Sequence, residues 1–258
     1  MSDIYPSPAV AAGHVEPSPR RVRGVVGNAT AFDTRSANYV WEWPFYPQYY
    51  IPVADVSKGV LVDEDHEQRL HFGTARRHGV RSGERIMAGA ARVYGDDAPP
   101  GIAGRVRFDW AALDAWFEED EQIFVHPRSP YVRVDAIRSK AEVVVELDGV
   151  RLARSTSPVM VFETGLPTRY YVNKTDVDFR DLIPTHTQTP CPYKGVTTGY
   201  WSAHIGESVH DDVAWTYDYP TRQVSPIAGL VAFYNELVDI RLDGVVLERP
   251  ETHHVKRR

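Results

Sequence analysis

The chain has 258 residues, 43% of them hydrophobic and 25% charged, enough for one large domain or two small ones, each with a buried core. Its formal net charge of −6 does not supply the basic face with which a sequence-independent nucleic-acid binder displaces counterions from phosphates, so no nucleic-acid partner is expected. A single cysteine excludes an intramolecular disulfide framework and a cysteine-rich zinc site, and fits a reducing compartment.

The opening "MSDIYPSPAVAAGHVEPSPRR" has no charged start followed by an apolar core, and no apolar run approaches the ~18 residues of a membrane span. A cytoplasmic protein without a membrane partner is expected. Residues 1–20, rich in Pro, Ser, Ala and Gly, read as a disordered lead. "RVRGVVGNATAF" (21–32) is two extended runs turning at Gly27-Asn28, and further strands are predicted at 39–43 and 84–94. The charged segment 63–85, with His66, His71 and His78, reads as a long loop. "FDWAALDAWFEEDE" (108–121) places Trp110, Leu113, Trp116 and Phe117 on one helical face and predicts a helix. "HPRSPYVRVD" (126–135) reads as an ordered linker. "EVVVELDGVRLARS" (142–155) is a hairpin turning at Asp148-Gly149, a pair that tolerates the positive φ angles of a tight turn. Strands follow at 159–163, 169–172, 196–204 and 209–217. "FYNELVDI" (233–240) is a short helix or a turn, "VDIRLDGVVLE" (238–248) is a second Asp-Gly hairpin, and 251–258 is a polar, basic tail.

The chain is written twice. "EWPFYPQYYIPVADV" (42–56) aligns without a gap on "ETGLPTRYYVNKTDV" (163–177), with Glu42/Glu163, Tyr49/Tyr170, Tyr50/Tyr171, Asp55/Asp176 and Val56/Val177 identical. "IAGRVRF" (102–108) then matches "IAGLVAF" (227–233) in the same order. A tandem duplication follows, with a first, diverged repeat over 21–136 and a second over 137–250. The pattern of short strands and Gly/Pro turns predicts a mainly β protein of two tandem, homologous small domains, with one or two short helices.

"VFETGLPTRYYVNKTDV", "TPCPYKG" (189–195), "YW" (200–201), "DDVAWTYDYP" (211–220), "IAGLVAFYNE" (227–236) and "LDGV" (242–245), in that order, resemble the bacterial family called domain of unknown function 427. The resemblance covers the second repeat almost completely and extends, through the first, over nearly all of 21–250. It implies a small, mostly β domain of a tent-like, two-sheet kind. Some labels of that family imply a nucleotidyltransferase-like activity.

The chemical candidates gather around "CPYKG". An ammonium near a thiol favours the thiolate, and Lys194 stands at the turn spacing from Cys191. Set against this, a free cysteine in a proline-braced turn is an ordinary small hydrophobe. Lys194 and the amide of Gly195 can hold an anion even if the thiol is inert. The first-repeat counterpart, "QRLHFGTARRHG" (68–79), lacks Cys-Pro-Tyr-Lys, so the fold does not require the motif. Glu163 and Arg169 form either an ion pair bracing a hairpin or a general base beside an anion-holding guanidinium. Tyr170 and Tyr171 alternate, so one of them reaches a pocket. The expected site is therefore Cys191 as nucleophile or acid, Lys194 as electrostatic stabiliser and Glu163 as base, with Arg169, Tyr170, Tyr193, Gly195 and Trp201 binding a small anionic or aromatic ligand. A non-catalytic interaction module is the alternative. Asp211-Asp212 can serve Mg²⁺ only if strand alternation does not separate them, and no phosphate-cradling Gly-rich loop precedes a helix. No cofactor and no metal site are predicted, and the oligomeric state is left unassigned.

Overall fold

The computed structural model describes residues 10–252, which divide into two compact units between Tyr131 and Val132. Strands of the first unit are β1 (Val15–Pro17), β2 (Val22–Val26), β3 (Ala29–Thr34), β4 (Asn38–Trp43), β5 (Tyr46–Pro52), β6 (Leu61–Leu70), β7 (Gly73–Ser82), β8 (Arg85–Tyr94), β9 (Arg105–Phe108), β10 (Ala115–Glu118) and β11 (Glu121–Ile123). They form a seven-stranded sheet in the order β1-β4-β5-β9-β8-β7-β6 and a four-stranded sheet in the order β11-β10-β2-β3. The second unit contains β12 (Val134–Arg138), β13 (Val143–Leu147), β14 (Val150–Ser155), β15 (Val159–Glu163), β16 (Arg169–Val172), β17 (Leu182–Thr185), β18 (Pro190–Cys191), β19 (Gly195–Val196), β20 (Gly199–Ile205), β21 (Ser208–Thr216), β22 (Val231–Phe233), β23 (Asp239–Leu242) and β24 (Val245–Val246). Its sheets run β12-β15-β16-β22-β21-β20-β17 and β14-β13-β23-β24, with β18-β19 as a separate pair.

The two large sheets correspond strand for strand and in register. Asn38 faces Tyr50 as Val159 faces Tyr171, and Ile51 faces Val106 as Val172 faces Val231. Arg92 faces Arg107 as Trp215 faces Ala232, and Ala91 faces Phe108 as Ala214 faces Phe233. Even the isolated bridge Phe32–Val56 has its twin in Ala153–Val177. Asp55 and Asp176 end the matching short 3-10 turns Val53–Asp55 and Lys174–Asp176. The chain is thus mainly β and duplicated, as the repeats require.

Each hairpin turn expected from sequence is present: Gly27-Asn28, Asp148-Gly149 and Asp243-Gly244 all take positive φ. Alternation then sends every second side chain inward. In the first unit Phe32 stacks on Phe108 at 5.5 Å and meets Trp116 at 5.4 Å, all three buried. In the second unit two faces of the large sheet carry separate cores. One holds Tyr170, Val172, Leu182 and Phe233, and the other holds Tyr171, Tyr193, Trp215 and Tyr217.

Three expectations are corrected. The helix predicted over 108–121 is instead a 3-10 turn at Trp110–Ala112 followed by β10 and β11. Pairing with β2, in which Trp116 faces Gly24 and Phe117 faces Arg23, outweighs the local helical period. The segment 63–85 is not a loop but most of β6 and β7 and the start of β8, paired from Leu61–Val80 to Leu70–Gly73. Cross-strand charges hold it, with Arg76 reaching Asp63 and Asp65 at 2.8 Å and Arg77 bonded to Glu64. A hairpin wetted in this way has no apolar alternation to announce it. The lead expected over 1–20 is ordered within its described part, because Val15–Pro17 pair with β4; residues 1–9 lie outside the described residues. So do residues 253–258 of the expected tail.

At Gly24, on β2, the core of the first unit leaves no room for a side chain. A β-carbon there would stand 2.4 Å from the Phe32 ring and 2.7 Å from Leu113. Gly24→Ala is expected to lower stability by about 1–3 kcal/mol, as overpacking does. A urea midpoint equal to that of the parent protein would contradict this packing.

Candidate functional site

Strands β6 and β7 are joined by His71 and Phe72 alone, whereas their counterparts β17 and β20 are joined by residues 186–198. Within that insertion Pro190 pairs with Val196 and Cys191 with Gly195, so "CPYKG" is a tight reverse turn. Gly195 adopts φ +97°, a conformation that L side chains rarely take. The turn is sewn to the loop after β21: the Thr221 amide donates to the Lys194 carbonyl at 3.1 Å, and the Thr221 hydroxyl donates to the Tyr193 carbonyl at 2.6 Å. At its base, the Thr189 amide donates to the Thr197 hydroxyl at 2.8 Å.

So anchored, the turn points its side chains inward. Tyr193 and Lys194 are buried, and Lys194 Nζ donates to Glu163 Oε2 at the end of β15. Cys191 packs with Tyr171, Trp215 and Tyr217, and Trp215 Nε1 donates to the Tyr171 hydroxyl at 3.1 Å. A second hydroxyl chain runs from Thr189 to Tyr200 at 2.8 Å and on to Tyr234 at 3.0 Å.

Burial sets the protonation of this cluster. It pushes the Cys191 thiol up, which Lys194 only partly opposes and Glu163 reinforces. Burial by itself would lower the Lys194 ammonium, but the charges of Cys191 and Glu163 outweigh it and the net displacement is upward. Burial also raises the Tyr171 phenol to about 12 against the opposing effect of Lys194. At neutral pH the cluster therefore holds a protonated thiol, an ammonium and a neutral phenol. The reactive form of cysteine is the thiolate, so this environment does not activate Cys191.

Of the residues expected at the site, Cys191, Tyr193, Lys194, Gly195 and Glu163 come together. Arg169 lies on the same face of β16 as Tyr171, but its guanidinium is engaged bidentately by Glu236 at 2.6 and 2.7 Å and by Asn235 at 3.3 Å. Arg169 also lies 5.8 Å from the Trp215 ring centre and 5.6 Å from that of Tyr234. The bracing partner of Arg169 is thus Glu236, and that of Glu163 is Lys194. Tyr170 and Trp201 belong to the core on the opposite face of the sheet. Of the alternating pair it is Tyr171, not the expected Tyr170, that joins this cluster, together with Trp215 and Tyr217, which the expected site does not include. Parity was the available signal, since Tyr171 is two residues from Arg169 on one strand and shares its face.

Glu163 also lines a shallow depression of about 240 Å³, with Arg133, Asp135, Phe162, Thr164, Leu166 and Thr168 around it. Phe162 is 43% exposed there, and Arg133 pairs with Asp135 at 2.7 Å. Asp212, the other acidic candidate, sits in a bulge of β21 with φ +50° and accepts the hydroxyls of Thr185 at 2.7 Å and Thr187 at 2.6 Å.

The fold and this site define a class: a duplicated, antiparallel β protein whose second half carries a lysine-bearing turn buried against a carboxylate. A family model described as "Domain of unknown function (DUF427)" matches the chain twice, over residues 14–119 and 135–244, and the chain belongs to that family as a tandem pair. No curated protein matches it significantly.

Removing one partner of a buried ion pair strands the other. Lys194→Met is expected to cost about 3–5 kcal/mol, and Lys194→Met/Glu163→Gln to regain most of it, in urea unfolding. Equal losses in the single and double variants would show that the pair is not the source. Cys191, Tyr171 and Lys194 all have raised folded pKa values. Their contributions are full below the unfolded values and disappear as pH rises through the folded ones. Stability should fall from about pH 8.5 upward, and Cys191→Ala should delay the fall to about pH 10. Iodoacetamide should alkylate Cys191 more slowly than free cysteine at pH 8; faster reaction would refute the protonated thiol.

Proposed function

We propose that the second repeat binds a small organic ligand, aromatic and anionic, in the depression beside Glu163. The observation that carries this reading is that the partly exposed Phe162 and the exposed Arg133 guanidinium line one depression together with Glu163, which Lys194 holds. A planar apolar body stacks on Phe162 and Leu166, and an oxyanion finds the fork of Arg133. Lys194 neutralises Glu163, so the depression does not repel an anion. The "CPYKG" turn then acts as the support of the site rather than its reactive centre. A protonated, partly buried Cys191 supports binding over covalent catalysis. Magnesium-dependent nucleotidyl transfer needs carboxylates free to share a metal, and two threonine hydroxyls already engage Asp212.

One feature favours a protein-interaction role for the same region. Tyr219 is 86% exposed, on the loop stitched to the turn. An exposed tyrosine is a common contact residue at interfaces.

A thermal-shift screen with aromatic carboxylates tests the ligand reading. A ligand at 100 times its Kd should stabilise the protein by about 2.7 kcal/mol. Arg133→Gln and Phe162→Ala should abolish the response, and Cys191→Ala should keep it. A response that vanishes only with Cys191→Ala would restore chemistry at the thiol. No response to any member of the screen, with a partner captured through Tyr219, would favour the interaction role.

A further inference from the structure

The strand correspondence exposes a second place of interest, in the first repeat. Glu42 and Tyr50 match Glu163 and Tyr171, and the Tyr50 hydroxyl donates to Glu42 at 3.0 Å. Around them the two halves diverge in kind. Where the second repeat has Trp215 and Ala232 as facing residues on β21 and β22, the first has Arg92 and Arg107 on β8 and β9. Two residues beyond Ala232 stands Tyr234; two beyond Arg107 stands Asp109. The turn that fills the second repeat from above is missing too, because only His71 and Phe72 connect β6 to β7.

An aromatic, closed core is thereby replaced by an open, charged cavity. It measures about 350 Å³ and is lined by Glu42, Leu70, His71, Phe72, Arg92, Tyr94, Arg107 and Asp109. The charges are tied to one another. Arg107 Nε donates to Glu42 at 3.1 Å, and its Nη1 bonds to Asp109. Arg92 Nη1 donates to the same Asp109 oxygen at 2.9 Å. Each guanidinium has five N–H donors, and these bonds use one of Arg92 and two of Arg107. Mutual pairing holds both forks in place, which is the preorganisation that a binding site needs.

The charge balance selects the ligand. Two guanidiniums and two carboxylates cancel, so a lone anion or a lone cation meets repulsion about as strong as its attraction. A molecule carrying both signs, oriented along the pattern, meets attraction at each end. Leu70, Phe72 and Tyr94 add an apolar side. The volume lies near the lower end of the ~300–1,000 Å³ of small-molecule sites.

We propose that the first repeat carries its own ligand site, built on Arg92, Arg107, Asp109 and Glu42. It takes a small zwitterion, an α-amino acid with an apolar side chain. The ligand carboxylate meets the two arginines, its ammonium meets Glu42 and Asp109, and its side chain lies against Leu70 and Phe72. The site stands apart from the one proposed in the second repeat, and neither depends on the other.

Isothermal titration of the full chain at low ionic strength tests it, with L-phenylalanine and L-leucine as probes and 3-phenylpropanoate and phenethylamine as single-charge analogues. The amino acids should bind at least tenfold more tightly than either analogue. Arg92→Gln should weaken them tenfold or more. Leu70→Trp, which fills the cavity without altering its charge, should abolish binding. It also serves as the deciding variant should Arg92→Gln disturb folding, with circular dichroism as the check. Arg85→Gln, which removes an equal charge from the exposed start of β8, should change nothing. The proposal is overturned by the absence of heat with both amino acids, by equal binding of 3-phenylpropanoate, or by binding that survives Leu70→Trp.

Discussion

A carboxylate at the end of the second strand of each large sheet must find a cation. Glu42 and Glu163 occupy this place in the two repeats, partly buried in the first and almost wholly in the second. A charge withdrawn from water is tolerable only when paired and hydrogen-bonded. The two halves meet the demand from different parts of the chain. The first uses Arg107, from β9, two strands away in the same sheet. The second uses Lys194, delivered by a turn inserted between two edge-side strands.

That choice shapes everything around it. A lysine brought from above carries its turn with it, and the turn closes the space over the sheet. Tyr193, Cys191, Trp215 and Tyr217 then fill the interior as aromatic core. An arginine supplied from within the sheet brings no cover. Its neighbours stay polar, Asp109 collects both guanidiniums, and the space remains open to solvent. The same ancestral scaffold thus supports a sealed cluster in one half and an open, charge-balanced cavity in the other. The sealed cluster also holds Glu163, through Lys194, at the rim of the depression that Phe162 and Arg133 line.

Much of this was written plainly enough in the chain. The Asp-Gly and Gly-Asn turns, the strands between them and the duplication follow from local chemistry and self-similarity. The gathering of Cys191, Lys194 and Glu163 was also legible, since the turn and its carboxylate stand out as a motif. Even the divergence of the first repeat is visible in "IAGRVRF" against "IAGLVAF", where Arg107 replaces Ala232. Other features were hidden. The period of Trp110, Leu113 and Trp116 imitates a helix, and only pairing with β2 makes Trp116 part of a strand. The β6–β7 hairpin is wetted and charged, so its strands carry no alternating apolar signal.

The sequence by itself determined the architecture: two related, mainly β halves with turns at defined residues, because turn geometry and strand alternation are local properties. The tertiary structure alone decided which charges meet. Arg169 goes to Glu236 rather than to Glu163, and Tyr171 rather than Tyr170 faces the buried lysine. Those outcomes depend on strand order and on which side of a sheet a residue shares with partners more than twenty positions away. No local rule encodes that. The burial that keeps the Cys191 thiol protonated has the same origin, since it comes from Tyr171 on β16, Trp215 on β21 and Tyr217 on the loop after β21.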